Sequence, residues 1–307
     1  MEILDCFIDK MTIVGNLPIE LEYAMQNLVN EEHTLIQGLP TTSNVEGQFF
    51  ALGYPESVYF SYDAINAKSM GKRNFRMEFN PRKISIEQEN WLKERIIYML
   101  DDVSFSRIDI ATDCNIDLSQ YKIIAMQASK RAPIYGLDGR LETVYLGSRT
   151  SNVYRRIYNK RTEVESRNKK NQSRNEKIEI QNSFLSQDLK KKTHELEPIA
   201  CENWWRFEYE LKHSTYIDSL ITSNLPLFED VRIFKPDFEG LSVNDEIYLR
   251  TLLREPEVIN KLSKNSKTKY RKMIREMNAD VEITDLFRNY MQKNTPKLVG
   301  ELNSWRK

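Results

Sequence analysis

Hydrophobic and polar residues alternate in several short segments of the chain, and a period of two is typical of half-buried β-strands. The pattern predicts strands over residues 49–63, 73–80, 104–112, 152–160 and 204–213. The second of these is expected to stop at Pro81, because proline has no N–H to donate to a strand ladder. Asp138 and Gly139 separate two apolar runs, which predicts a β-hairpin there.

Other segments place apolar residues at the spacing of an α-helix. Residues 85–101 begin with Ser85, a good N-cap residue, and carry acids in the first turns, so a helix is predicted. Shorter helical patterns follow Pro18 over residues 19–35 and cover residues 119–131.

Two parts of the chain differ in character from these elements. Residues 164–198 are rich in Lys, Asn, Gln and Ser, which predicts a polar, mobile insertion with one helix near 183–195. From about residue 241 the pattern is helical to the end. The chain is therefore expected to form a large region over 1–240, which includes the insertion, and a helical region over 241–307.

The order of elements predicts the fold class. Strands follow one another through turns, with helices between only some of them. This favours an α+β fold with a largely antiparallel, curved sheet over a doubly wound parallel sheet. The helices are expected to cover one face of the sheet, and the other face is expected to be charged, with a C-terminal helical region added.

Composition narrows the class of protein further. The chain has 307 residues, of which 40% are hydrophobic, so it can bury a substantial core. It lacks an apolar run long enough to span a membrane, and its first residues lack the pattern of a secretory signal. The three cysteines are far apart and odd in number. These features predict a cytoplasmic protein without a disulfide framework.

Charge is unevenly distributed although 45 basic and 45 acidic side chains balance. Residues 1–34 carry seven acids and one base, whereas 154–192 carry twelve bases and five acids. Residues 260–276 carry seven bases and one acid. Such asymmetry indicates nucleic-acid binding, and the alternative is a set of solvated faces.

Four of the predicted strands share a feature that a merely soluble face does not need. Since residues at i and i+2 lie on the same side of a strand, each strand carries cations and acids or tyrosine on one face and apolar residues on the other. The polar sets are Arg76, Glu78 and Asn80; Arg107 and Asp109; Arg156, Tyr158 and Lys160; and Arg206, Glu208, Glu210 and Lys212. An organised site is the interpretation preferred over a solvated face with cross-strand ion pairs.

This mixture of side chains suits phosphate chemistry. Clustered carboxylates bind Mg²⁺ or Mn²⁺, and Arg and Lys bind phosphate. A tyrosine on the same face could attack a phosphodiester, which would nick DNA and leave a covalent link. Motifs for a histidine-pair metal site, a P-loop or a serine hydrolase are missing from the sequence, and Cys114 has no histidine near it.

Many short blocks resemble, in order, one family of rolling-circle plasmid replication initiators, the Rep_trans type of small Gram-positive plasmids. The blocks lie at 11–17, 73–81, 91–93, 101–113, 145–149, 156–160, 205–212, 234–237 and 267–275. They cover nearly the whole chain. The order and spacing of the blocks, rather than any single signature, carry the resemblance.

The resemblance implies roles for particular residues. Tyr158, in Arg-Ile-Tyr-Asn-Lys, matches the family's nicking nucleophile, and Tyr154 is the nearest rival on the same strand face. Asp109 is the first choice of metal ligand, followed by Glu208 or Glu210 and then by Glu78. Phosphate is expected to bind Arg76, Arg107, Arg156, Lys160 and Arg206. Each of these cations could instead pair with a neighbouring acid.

The resemblance also implies the biology. The family recognises an inverted repeat that extrudes as a hairpin at the plasmid's double-strand origin, stays on the 5′ end of the nick and leaves a 3′-hydroxyl primer. It acts as a homodimer and recruits a superfamily-one helicase of the host. The basic stretch 260–276 matches the place where the family reads its origin. The phosphate contacts expected there are Lys264, Lys267, Lys269, Arg271 and Lys272, unless this is only a solvated helix.

Two other functions stay open at this stage. A relaxase that nicks the transfer origin of a mobile element shares the same chemistry and the same blocks. A non-catalytic DNA- or RNA-binding module would use the sheet only as a platform. The acids on the sheet argue against the second, because carboxylates repel phosphate unless a metal ion intervenes.

Overall fold

A nine-stranded antiparallel sheet forms the centre of the molecule in the computed structural model, which describes residues 1–25, 48–52, 58–183 and 201–306. The strand order is β2-β3-β4-β1-β5-β10-β9-β8-β7. The strands are β1 (Glu2–Asn16), β2 (Gln48–Leu52), β3 (Val58–Asp63), β4 (Phe75–Phe79), β5 (Asp101–Asn115), β7 (Arg131–Tyr135), β8 (Leu141–Leu146), β9 (Val153–Asn159) and β10 (Trp204–Lys212).

A second sheet of three strands has the order β12-β11-β6. Its strands are β6 (Lys122–Ala125), β11 (Val231–Pro236) and β12 (Ala279–Glu282). Seven α-helices complete the described part of the chain: α1 (Ala64–Met70), α2 (Ile86–Trp91), α3 (Lys160–Ser183), α4 (Ser214–Thr222), α5 (Val243–Arg254), α6 (Lys264–Glu276) and α7 (Thr284–Asn303). Helix α2 continues as a π-helical turn over Leu92–Ile96 and a 3₁₀ turn over Ile97–Met99.

The main core lies on one face of the nine-stranded sheet. Phe207 of β10 packs against Phe228, with ring centroids 4.7 Å apart, and Phe228 packs against Phe287 of α7 at 5.4 Å. At the other end of α7, Trp305 packs on Phe79 of β4 at 4.8 Å. Helix α7 is therefore part of the main core, although it lies at the end of the chain.

A smaller core lies under α5 and α6. Leu249, Leu252 and Leu253 of α5 are buried with Tyr270 of α6 against Phe234 of the second sheet. Ser242 and Ser263 cap the two helices by accepting hydrogen bonds from backbone N–H groups in the first turns. These two helices therefore form a compact unit beside the main sheet.

The predicted fold class is confirmed, because helices cover the apolar face of a large antiparallel sheet and the opposite face is charged. The strands predicted over 73–80, 104–112, 152–160 and 204–213 are present, as are the hairpin at Asp138 and Gly139 and the helix that begins after Ser85. The strand predicted over 49–63 is two strands, β2 and β3, which pair with each other.

Three predictions of local structure were wrong. The helix predicted over 119–131 is instead β6 and a turn that leads to β7, because Ile123 and Ile124 pair with β11 and gain more from that ladder than from a short helix. The region after 164 is helical as far as Ser183, since α3 continues directly from β9. The C-terminal part is not entirely helical, because β12 separates α6 from α7.

Two predictions fall largely on residues outside the described ranges. The helical pattern over 19–35 begins with a 3₁₀ turn at Ile19–Leu21 and a helical segment over 22–25, and its remainder lies outside those ranges. The helix predicted near 183–195 also lies outside them after Ser183. No helix in the described ranges has the length and apolar character needed to cross a membrane.

Candidate active site on the polar face of the sheet

The register of the sheet brings the predicted polar residues into rows across neighbouring strands. In one row Asp109 of β5 lies between Lys10 of β1 and Glu210 of β10, and Tyr154 of β9 follows Glu210. These strands are distant in sequence, so the row exists only because β10 inserts between β5 and β9.

The next two rows carry the predicted nucleophile and its neighbours. Asp113, Arg206 and Tyr158 lie side by side on β5, β10 and β9. Glu208 lies between Ala111 and Arg156, in the row that separates the Asp109 row from the Asp113 row. The structure therefore brings Tyr158, Glu208, Glu210 and Asp109 to one face of three adjacent strands.

Arg107 binds two of the predicted acids at once. Its Nε and Nη2 atoms donate to the two oxygens of Asp109 at 2.7 and 2.6 Å. The same Nη2 lies 2.8 Å from Oε2 of Glu210. A cationic nitrogen thus occupies the position between two carboxylates on neighbouring strands.

Asp109 is only 3% exposed. Burial raises its pKa to about 6, although the hydrogen bonds and charge of Arg107 oppose this shift. The charges of Glu208 and Glu210 contribute to this rise. The Asp109 carboxylate therefore depends on a nearby cation to stay ionised.

Tyr158 and Glu208 form the second contact of interest. The Tyr158 hydroxyl donates to Oε2 of Glu208 at 3.3 Å, and both residues are 6% exposed. Nη2 of Arg156 donates to both oxygens of Glu208, at 3.0 and 2.8 Å, and its guanidinium lies 4.5 Å from the centre of the Tyr158 ring. Burial, followed by the Glu208 charge, raises the pKa of Tyr158 above its ordinary value.

Two further cations lie around Tyr158. Arg206 is 7% exposed and holds Asp113 through two hydrogen bonds of 2.6 and 2.9 Å. Lys160, at the start of α3, pairs with Glu163, and its Nζ lies 5.6 Å from the Tyr158 ring centre. Burial, followed by the charge of Arg206, lowers the pKa of Lys160.

Glu78 of β4 lies in one row with Thr12 of β1 and Arg107 of β5 and forms ion pairs of its own. It binds Lys10 of β1 and Arg76 of its own strand and accepts a hydrogen bond of 3.3 Å from Thr12. Burial raises the pKa of Glu78, but the hydrogen bonds from Lys10 and Arg76 outweigh burial and lower it overall. Within the described part of the chain, no three His, Cys, Asp or Glu side chains form a group that could hold one metal ion.

A cavity of about 400 Å³ opens beside these groups on the polar face. Its lining consists of Arg107, Tyr145, Arg149, Tyr154, Arg156, Glu208, Glu210 and Lys212. The rings of Tyr145 and Tyr154 stack with centroids 5.8 Å apart and an interplanar angle of 13°. Tyr145 and Arg149 were not among the predicted site residues. The block at 145–149 that carries the family resemblance contains both, and so could have identified them.

The basic stretch near the end of the chain forms helix α6. Lys264, Arg271 and Lys272 are exposed, and Lys267 is half-buried. Lys269 instead pairs with Asp245 of α5 at 2.5 Å, and Asp245 also accepts a hydrogen bond from Tyr270. The buried face of α6 packs on the smaller core, so most of its cations point away from the protein.

Comparison with known proteins identifies relatives over almost the whole chain. Residues 10–100 match a family profile described as the N-terminal part of RepD-like replication initiation proteins. Two replication initiation proteins of Staphylococcus aureus are 31% and 30% identical to the chain over 298 and 300 residues. Each alignment covers 97% of this chain, and the alignments cover 83% and 84% of the relatives.

A solved rolling circle replication initiator protein from Geobacillus stearothermophilus is more distant, with a TM-score of 0.42 and 14% identity over 78% of this chain and 89% of that chain. The similarity to the staphylococcal proteins decides the family. The chain belongs to the family of replication initiation proteins, and the family predicted from the sequence is thereby confirmed.

Proposed function

We propose that this protein initiates rolling-circle replication by nicking one strand at a plasmid origin, with Tyr158 as the nucleophile. The observation that carries the proposal is the hydrogen bond from the Tyr158 hydroxyl to Glu208, beside a cavity lined by four basic side chains. A tyrosine paired with a proton acceptor and next to phosphate-binding groups has the parts that strand transfer needs.

The reaction follows from this geometry. A tyrosine hydroxyl is protonated at neutral pH, and burial raises the pKa of Tyr158 further, so the reaction needs a base. Glu208 accepts the proton as the phenolic oxygen attacks the phosphorus atom. The P–O bond to the sugar 3′-oxygen breaks, and that oxygen takes up a proton from solvent water to become the 3′-hydroxyl primer. The product is a 5′-phosphotyrosine link on Tyr158.

Cations around the cavity hold the phosphate during this step. Arg156 spans Glu208 and the Tyr158 ring, so a phosphate beside the hydroxyl would meet its guanidinium. Arg107 and Lys212 line the same cavity. Arg206 lies beside Tyr158 on the neighbouring strand, and Lys160 Nζ lies 5.6 Å from the Tyr158 ring centre. Preorganised cations of this kind stabilise the charge that develops on the transferred phosphoryl group.

The donor set at Asp109 and Glu210 fits a divalent cation. The nitrogen of Arg107 that lies 2.6 and 2.8 Å from the two carboxylates stands in for a positive ion there. Mg²⁺ is commonly held by one or two carboxylates together with phosphate and water, so two protein ligands suffice. When bound, Mg²⁺ or Mn²⁺ would polarise the scissile phosphate. Glu208 faces Tyr158 and Glu78 lies among Lys10 and Arg76, so both are weaker candidates as ligands.

Helix α6 is proposed to bind the origin. Lys264, Lys267, Arg271 and Lys272 would contact phosphates, as the resemblance implies. Lys269 is tied to Asp245, so its contribution is expected to be smaller. The resemblance extends the proposal to a cytoplasmic homodimer that recruits a superfamily-one helicase of the host.

The deciding experiment incubates supercoiled plasmid that carries a candidate origin with the protein and Mg²⁺, and detects covalent protein–DNA adducts on a denaturing gel. Tyr158→Phe should abolish the adduct, whereas the matched variant Tyr154→Phe should still form it. The reverse result would make Tyr154 the nucleophile. An adduct that persists in EDTA would remove the metal from the proposal.

A further inference from the structure

A second, larger cavity adjoins the candidate active site on the same face of the sheet. It has a volume of about 910 Å³, and Arg107 and Lys212 line both cavities. Its lining includes Ser61 of β3, Arg76 of β4, Val14 of β1 and Asp102 of β5, together with the turn at 71–74 that precedes β4. We call this second cavity the flank groove.

Together the two cavities cross seven neighbouring strands, from β3 through β4, β1, β5, β10 and β9 to β8. Neighbouring strands are roughly 4.8 Å apart, so the combined path is about 29 Å long. One strand of DNA advances about 3.4 Å per nucleotide in a duplex. Because an extended single strand advances further per nucleotide than a duplex strand, the path holds at most about eight nucleotides, which lies within the range of single-strand site sizes.

Charge favours a phosphate backbone in the flank groove. Five basic side chains and two acidic side chains line it, and four of the five cations pair with acids, namely Arg73, Arg76, Arg107 and Lys212. One of the acids, Asp102, is bound by Arg73 at 3.0 Å. Lys72 is exposed and forms no ion pair with any described residue, so its charge is available to a ligand.

Backbone strain is found in the same groove. Asp102 and His213 have φ values of 50° and 67°, a region that residues other than glycine rarely adopt. The His213 N–H donates to the carbonyl of Ser106 at 3.2 Å, and its own carbonyl accepts from the N–H of Ile217 at 3.0 Å. These bonds hold the strained residue at the start of α4, where His213, Ser214 and Thr215 line the groove. Strain retained at a cleft indicates a functional demand on the position of the residue.

The opposite end of the path has a different character. Tyr145 is half-buried, and its ring stacks on that of the buried Tyr154 in the smaller cavity. Aromatic rings accept nucleic-acid bases of any sequence by stacking. Cations along the whole path and aromatic rings at one end match a single strand whose bases are unpaired.

From these observations we infer that a single DNA strand lies across the polar face, with the scissile phosphate in the smaller cavity and the neighbouring nucleotides in the flank groove. Lys72, Arg73, Arg76 and His213 contact the phosphates of that flank. This inference rests on the proposed function for the position of the scissile phosphate. Binding of a single strand in the flank groove does not depend on the proposed function.

The test measures binding by fluorescence anisotropy in EDTA, with labelled single-stranded oligothymidylates of about 20 and about 4 nucleotides. Lys72→Glu should weaken binding of the longer strand about tenfold. It should also reduce the slope of log binding constant against log salt concentration by about 0.7. Binding of the shorter strand should change less than about twofold, because it can occupy the aromatic end alone. Lys83→Glu, an exposed charge reversal away from both cavities, is the matched control.

Each outcome bears on the inference. Equal losses in Lys72→Glu and Lys83→Glu would show a general charge effect and overturn it. A duplex of the same length should bind through α6 instead, so Lys72→Glu should change its affinity by less than about twofold. A loss for the duplex as large as the loss for the single strand would overturn the single-strand path. His213→Asn, which keeps a residue tolerant of positive φ, should also weaken the longer strand selectively. The adduct assay tests the proposed function separately. If the wild-type protein forms no adduct but Lys72→Glu still weakens the longer strand selectively, only the nicking proposal is refuted.

Discussion

The Tyr158 hydroxyl donates a hydrogen bond to Oε2 of Glu208 at 3.3 Å, across neighbouring strands of the polar face. Both side chains are buried, and Arg156 balances the charge of the carboxylate. The contact joins a proton donor that is difficult to ionise to an acceptor fixed in place by a guanidinium. This is the relationship on which the proposed chemistry depends.

The first prediction concerns Glu208 as a base. Glu208→Gln preserves size and an oxygen acceptor but cannot take up a proton, so cleavage should slow by about 10²- to 10⁴-fold. Binding of origin DNA in a gel-shift assay should change little. Cleavage at the wild-type rate would remove Glu208 from the proton transfer and return it to the list of possible metal ligands.

The second prediction concerns Asp109 and the metal ion. Asp109→Asn should raise the Mg²⁺ concentration needed for half-maximal cleavage by at least about tenfold, since the amide is a weaker ligand than a carboxylate. Glu78→Gln is the comparison, because Glu78 lies in its own ion-pair group with Lys10 and Arg76. A Mg²⁺ titration of nicking distinguishes the two variants. An identical shift in both would contradict the preference for Asp109.

The third prediction concerns cysteine reactivity and pH. Burial raises the pKa of Cys6 to about 11 and raises that of Cys114 further. At pH 8 roughly one Cys6 in a thousand is thiolate, and only the thiolate reacts readily with alkylating agents. Mass spectrometry after iodoacetamide treatment at pH 8 should therefore find Cys201, which is half-buried, modified first.

Raising the pH toward 11 increases the fraction of Cys6 that is thiolate, so the rate at which folded Cys6 is labelled should rise with pH. Urea-unfolded protein is the control, in which all three cysteines should react at similar rates. Rapid labelling of Cys6 in the folded protein at pH 8 would show that the core near β1 opens readily.

The fourth prediction concerns α7. Phe287 is fully buried against Phe207 and Phe228 of the main core, so Phe287→Ala should lower the free energy of unfolding by about 3–5 kcal/mol. The whole main sheet should be destabilised, because α7 shares its core. Urea denaturation followed by circular dichroism measures the change. A loss confined to α5 and α6 would contradict this account of the core.

The fifth prediction concerns α6. Lys272→Ala should weaken binding of duplex origin DNA. The slope of log binding constant against log salt concentration should fall by about 0.9, as expected for one lost phosphate contact. Lys269→Ala should have a smaller effect, since Lys269 is paired with Asp245. Equal effects would mean that the Lys269–Asp245 pair opens when DNA binds. Exchange of residues 260–276 with those of a relative should transfer origin preference.

The sequence alone determined which residues share a strand face. Arg156 and Tyr158, or Glu208 and Glu210, lie two apart on the same strand, and a period of two is a local property of extended backbone. The order of the sequence blocks was enough to predict the family. The fold class also followed, because strands joined by turns leave few alternatives.

Only the tertiary structure decided the pairings between strands. Tyr158 meets Glu208, and Arg107 joins Asp109 to Glu210, because β10 lies between β5 and β9 although about 90 residues separate it from β5. The segment 122–125 became a strand rather than a helix for the same reason, since β11 offered it a partner. Local patterns fix the face on which a side chain lies. The ladder between distant strands fixes its neighbours, and therefore the chemistry that the face can perform.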